Sequence, residues 1–319
     1  MARMDTITAL IDAGMGHDVQ RVRTLACQIM AQERANGHTI AADAIARALG
    51  TGGTDEREIP TTGGRGGSPL AYNAQPRHAL ADLWIDPEVV ADLEDLVSEH
   101  TTHAQAIREA GLEPRHRLLF AGPPGNGKTA TAEALAAAMD LPLWVARYDS
   151  LIGSYLGETA THMTKLLQSA SEAPCVLLFD EFDAVGKERG DAHEVGEMKR
   201  LVASLVMQMD RLPSHTVVIC TTNHQELLDR ALWRRFQVCI GFPAPMKHQI
   251  PAWFKIYAST TIPNDIADWM ADLGASFAEL RDVCSDAARR VALGREGCVA
   301  DAIARVCFRW CARVRAETA

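Results

Sequence analysis

The sequence predicts a doubly wound α/β domain built on a parallel sheet, followed by a smaller helical subdomain and preceded by a short helical unit. Three observations predict it. A strand-like run, Arg117-Leu118-Leu119-Phe120-Ala121, leads into a glycine-rich loop, and an alanine-rich helical stretch from Thr129 to Met139 follows that loop. Two further apolar runs, Cys175 to Phe179 and Thr216 to Cys220, end in polar residues, as expected of parallel strands buried on both faces. From Ala244 onward the periodicity is helical, with segments from Gln249 to Ala258, Asp265 to Leu273, Phe277 to Leu293 and Val299 to Val314.

Taken in order, residues 1–49 read as a helical unit. Val19, Val22, Leu25, Cys27, Ile29 and Met30 give an amphipathic pattern, Asn36-Gly37 marks a turn, and Thr39 can cap a second helix ending near Leu49. Residues 50–75 read as a flexible linker: seven glycines and four threonines fall between positions 50 and 67. Residues 76–243 form the α/β domain and 244–319 the helical, lid-like subdomain. A tethered helical head suits recruitment of a substrate or adaptor, and packing against the main body is the other reading.

The loop carries the chemistry. Gly122-Pro123-Pro124-Gly125-Asn126-Gly127-Lys128-Thr129-Ala130 has the spacing G-x-x-x-x-G-K-T of a phosphate-binding loop. Its glycines let backbone N–H groups turn inward around a polyphosphate, and the helix N-terminus behind them adds partial positive charge. Lys128 is expected to reach the β and γ phosphates of ATP, and Thr129 to offer its hydroxyl to Mg²⁺. A glycine turn with a chance Lys-Thr would lack the strand before and the helix after.

A second site is expected where the Cys175 to Phe179 run ends in Asp180-Glu181. Carboxylates at the C-terminal end of a parallel strand lie where open α/β sheets bind ligands. Asp180 would hold Mg²⁺, directly or through water, and Glu181 would polarise the attacking water. An acidic pair at a strand end is also a common helix cap; beside a phosphate loop the catalytic reading is preferred.

The third run continues as Thr221-Thr222-Asn223 and then Leu227-Leu228-Asp229-Arg230-Ala231-Leu232-Trp233-Arg234-Arg235-Phe236. Here the chain resembles the AAA+ ATPases, within them the AAA group that remodels proteins, from about Ala81 to the C-terminus. The resemblance implies a homo-oligomer, a hexameric ring with ATP between subunits. It makes Asn223 the sensor of water and γ phosphate, and Arg234 and Arg235 arginine fingers reaching the next subunit's site. It also makes Tyr155-Leu156-Gly157 the pore-loop triplet that grips a protein substrate, and residues 187–193 a second pore loop. A separately encoded protease or effector would be a compatible partner.

Two departures bear on the base. Relatives read G-x-S-G-A-[DE]-L in the helical subdomain, whereas this chain has Gly274-Ala275-Ser276-Phe277-Ala278-Glu279-Leu280. With Phe277 in place of that glycine, either the ring packs on adenine or the backbone stands further off. Leu83-Trp84-Ile85-Asp86 replaces the Ile-Gly-Gly-like segment that frames adenine in relatives.

Composition excludes other classes. With 32 basic against 41 acidic residues, a net charge of −9, the chain is a poor background for nonspecific nucleic-acid binding. The arginines at 305, 309, 313 and 315 read as a solvated helix face. No transmembrane run or signal layout is evident, and the 8 cysteines lack any C-x-x-C pair, so a cytoplasmic protein with reduced thiols is expected. His193-Glu194 is not followed by the histidine a zinc protease needs. The expected function is a protein-remodelling ATPase motor; a nucleic-acid-acting helper ATPase and a nucleotide-dependent switch are the alternatives.

Overall fold

The computed structural model describes residues 59, 68–153, 156–182, 205–224 and 230–318. The chain divides into two compact units, Met1–Ile59 and Pro60–Ala319, and all the described residues but Ile59 belong to the second. The expected helical unit 1–49, residues 50–58 and 60–67 of the linker, Tyr155, and the expected second pore loop lie outside the described residues.

Six strands form one sheet: β1 (Ala71–Ala74), β2 (Arg117–Ala121), β3 (Leu143–Ala146), β4 (Cys175–Phe179), β5 (Thr216–Thr222) and β6 (Val238–Gly241). Their order is β1-β3-β4-β5-β2-β6. Every pairing among β2 to β6 is parallel, and β1 joins the β3 edge antiparallel with Ala71 opposite Ala146. β1 falls inside the stretch the sequence assigns to a linker, so the sheet begins at Ala71, before the expected boundary at 76.

The sequence explains the parallel layout. All five residues of β4 and all seven of β5 are buried, as strands covered on both faces require. The chain leaves β2, crosses to β3 and β4, and returns through β5, which puts β2 between β5 and β6. Ligands bind beyond the C-terminal strand ends at such a switch point.

The α-helices among the described residues are α1 (Pro87–His100), α2 (Ala104–Glu109), α3 (Lys128–Ala138), α4 (Tyr148–Leu151), α5 (Leu156–Ser171), α6 (Arg230–Trp233), α7 (Gln249–Tyr257), α8 (Asn264–Asp272), α9 (Phe277–Ala292) and α10 (Val299–Thr318). Residues 205–209 are helical as well. One face of the sheet packs Leu118, Phe120, Val176, Leu178, Val217 and Ile219 against α1 and α3 through Leu93, Leu96, Leu135 and Met139. The small side chains of α3, mostly alanine and threonine, let this helix lie close to the sheet.

Start signals are clear at two helices. Asp86 accepts from the Glu88 N–H at the head of α1, with Pro87 in the first helical position. At α9 Ser276 and Glu279 form a reciprocal capping box. Helices α7 to α10 enclose a second core around Trp253, Phe254, Met270, Leu280 and Cys307. Burial pushes the Cys307 thiol up to about 12, so it behaves as a small core hydrophobe rather than a nucleophile.

Candidate functional site

The loop after β2 is shaped by its glycines. Gly122 has φ +148°, and a Cβ there would stand 2.2 Å from the Phe242 carbonyl oxygen, so only glycine fits where the loop passes β6. Gly125 has φ +78°, and its missing Cβ leaves room for Ser276 and Ala278 of the α9 N-terminus. The Ala278 N–H donates to the Gly125 carbonyl at 3.0 Å, and the Phe277 N–H donates to Asn126 Oδ1 at 3.2 Å. The helical subdomain is thereby hydrogen-bonded directly to the phosphate loop.

Lys128 opens α3 and is buried. Its Nζ donates to the carbonyls of Gly122 at 2.7 Å and Pro123 at 2.9 Å, and to Asn223 Oδ1 at 2.7 Å. Thr129 Oγ1 lies 3.0 Å from both carboxylate oxygens of Asp180. Thr221, fully buried at the end of β5, donates from Oγ1 to Asp180 Oδ1 at 2.6 Å and accepts the Glu181 N–H at 2.8 Å. Glu181 itself is left-handed, with φ +50°.

These groups line a cleft of about 480 Å³. Its floor is Pro124 to Ala130 with Asp180, Glu181, Thr221 and Asn223. Leu83, Trp84 and Ile85 also line it, as do Trp253, Tyr257, Phe277, Ala278 and Arg281. Gly122 and Pro123 contribute carbonyls to Lys128 rather than lining. Of the segment expected to frame the base, Leu83, Trp84 and Ile85 reach the cleft, while Asp86 caps α1. The Trp84 and Phe277 rings stand 6.5 Å apart at 52°. Phe277 is therefore at the cleft, not withdrawn from it.

Chemically, the floor pairs a buried ammonium with two carboxylates and two hydroxyls. Thr129 and Asp180 offer the hard oxygen donors that Mg²⁺ takes, converging within hydrogen-bond distance of each other. They fit the ion.

Arg234 and Arg235 are exposed and lie elsewhere. Arg117, the first residue of β2, donates from Nε to the Arg235 carbonyl at 3.0 Å, and the Arg235 guanidinium pairs with Asp210. The phosphate loop follows the other end of β2, so roughly 15 Å of strand separates the arginines from the cleft.

Sequence reasoning missed Thr221, Arg281, Trp253, Tyr257 and His78 as cleft residues. A signal existed for some of them. Arg281 is four residues after Phe277, and Tyr257 four after Trp253, so each pair shares one helix face. The Trp253 and Tyr257 rings stack at 4.4 Å.

Residues 118–244 match the family model described as ATPase family associated with various cellular activities (AAA). An uncharacterized AAA family ATPase, y4kL, of Sinorhizobium fredii is 35% identical over 303 residues, covering 92% of this chain and 91% of that protein. The peroxisomal ATPase PEX6 of Saccharomyces cerevisiae is 34% identical over 166 residues, 49% of this chain but 16% of that protein. A putative 26S proteasome regulatory subunit homolog of Methanothermobacter thermautotrophicus is 36% identical over 150 residues, 46% of this chain and 40% of that protein.

Proposed function

The chain belongs to the AAA family of ATPases and hydrolyses ATP, and from that premise we propose that it works as a hexameric ring that remodels or unfolds protein substrates through a central pore. One observation carries the proposal. Arg234 and Arg235 stand at the end of β2 opposite the cleft that holds Lys128, Asp180 and Glu181. A guanidinium there is too distant to meet the γ phosphate in its own cleft, which supports a role at a neighbour's. An interface that joins one face of a subunit to a different face of the next is heterologous, and such interfaces build a ring when the rotation between subunits closes. Similarity to a proteasome regulatory subunit homolog supports a protein as the substrate.

In the cleft, Lys128 would exchange its carbonyl and Asn223 partners for β and γ phosphate oxygens as the loop N–H groups close around the polyphosphate. Mg²⁺ at this site would supply charge neutralisation to the polyphosphate. Asp180 and Thr129 would hold it. Glu181 would orient water and take its proton, and Asn223 would fix the γ phosphate against that water. Arg234 and Arg235 of the adjoining subunit would stabilise charge on the equatorial oxygens. Tyr155 would then carry substrate along the axis.

Glu181→Gln is the test. It is expected to bind ATP, lose turnover by about 10²- to 10⁴-fold, and shift in light scattering from small species to a hexamer with ATP and Mg²⁺. Assembly-independent turnover at the parental rate would overturn both the Glu181 role and the shared site.

A further inference from the structure

We infer that Thr221 is a positioning residue for hydrolysis: one buried hydroxyl fixes both the carboxylate of Asp180 and the backbone of Glu181. The inference rests on the roles proposed for Asp180 and Glu181, and it names what holds them.

The register sets up the contact. Phe179 pairs with Cys220 across the β4–β5 ladder, so the next residues, Asp180 and Thr221, meet just where the ladder ends. Thr221 is 0 % exposed and its Oγ1 is used twice. Its proton goes to Asp180 Oδ1 at 2.6 Å, a charge-assisted bond of the short kind. Its lone pair accepts the Glu181 N–H at 2.8 Å. The Thr221 carbonyl also accepts the Phe182 N–H at 2.8 Å, so the whole Asp180-Glu181-Phe182 turn is bracketed by one residue.

The bracket matters because Glu181 sits at φ +50°, a conformation a glutamate adopts only when its surroundings impose it. With the N–H tethered, the Cα of Glu181 is held in the one backbone state that the cleft uses. Asp180 has two hydroxyl neighbours with different tasks. Thr129 Oγ1 reaches both carboxylate oxygens from the phosphate loop. Thr221 approaches Oδ1 from the sheet, and orients the carboxylate toward the loop before nucleotide arrives. Hydrogen-bonded partners behind a metal-holding carboxylate typically control metal affinity and rate together.

Thr221→Val keeps shape and removes the hydroxyl, and Thr221→Ser keeps the hydroxyl and removes the methyl. Thr221→Val is expected to lower kcat by about 10- to 100-fold and to raise the Mg²⁺ concentration needed for half-maximal rate. Calorimetry gives a readout apart from turnover: Thr221→Val should bind ATP in EDTA as the parent does, and lose the extra affinity that Mg²⁺ confers. Thr221→Ser should restore both. If Thr221→Val does not fold, Thr221→Ala takes its place in the same comparison. Parental kcat and Mg²⁺ dependence in the variant lacking the hydroxyl would overturn the inference, as would a serine variant as impaired as valine. Full turnover by Glu181→Gln would instead strike the underlying reading, so the two failures are distinguishable.

Discussion

At Gly122 the main chain leaves no space for any side chain, because the Phe242 carbonyl oxygen occupies the place of its Cβ. The same residue supplies a carbonyl to Lys128 Nζ, so loop shape and ammonium position are set together. Gly122→Ala is expected to cost about 1–3 kcal/mol of stability by overpacking and to weaken ATP binding at the same time. Thermal unfolding and a nucleotide titration check this, and a variant with parental Tm and Kd would refute the coupling. Residues of this loop were legible in the sequence because they are contiguous and each obeys a local rule. Thr221 stood out only as the first residue of Thr221-Thr222-Asn223; its contacts were not legible, since its partners Asp180 and Glu181 follow a different strand. Phe277 was half legible. Its departure from the related glycine marked the position, but only the fold shows the ring beside Trp84 at the cleft wall.

Among the elements, the end of α1 and the lead-in of β2 carry groups that titrate. His100 Nε2 lies 2.7 Å from the Arg115 carbonyl, and His116 is buried with Nδ1 3.1 Å from the Pro114 carbonyl. Burial holds both imidazoles below the ordinary value of 6.5, and outweighs the backbone contacts that act the other way. A histidine whose folded value is lowered favours the folded state when neutral. Its contribution is intact above 6.5 and is lost as pH falls below it, because the unfolded chain then binds protons first. Urea midpoints are therefore expected to drop between about pH 7 and pH 5.5, and His116→Asn should flatten that slope. Glu99 titrates in a separate window: burial raises its carboxyl, yet the Arg115 hydrogen bonds and charge hold it below 4.5. Its share of stability is lost only as pH falls below 4.5. A slope that survived removal of both histidines would sink this assignment.

Most elements could be read from pattern. The phosphate-loop strand and the Cys175 run begin and end where the sequence puts them, and the four C-terminal helices agree to within a few residues. Strand β1 could not be read. Ala-Tyr-Asn-Ala is too short for periodicity, follows a glycine tract, and is held by pairing with β3 rather than by its own composition.

For the whole molecule, the proposal turns on sites completed between subunits. Glu181→Gln subunits keep their arginines, and Arg235→Ala subunits keep their cleft. Mixed together, the two are expected to recover ATPase activity that neither shows alone, since some interfaces combine an intact cleft with an intact arginine. No recovery over any mixing ratio would refute sharing through Arg235. The arginine starts from an ion pair with Asp210 in its own subunit, which assembly would have to exchange for phosphate.

The joint between the phosphate loop and α9 has a mechanical consequence. Two N–H groups at the first turn of α9 hold it to Gly125 and Asn126. The helix is 16 residues long and ends at Ala292. At 1.5 Å per residue it is a lever of roughly 24 Å, so a tilt of roughly 10° at the loop swings its far end by roughly 4 Å. A bend of the loop around a triphosphate that tilted α9 would therefore be delivered, enlarged, at the helix's far end.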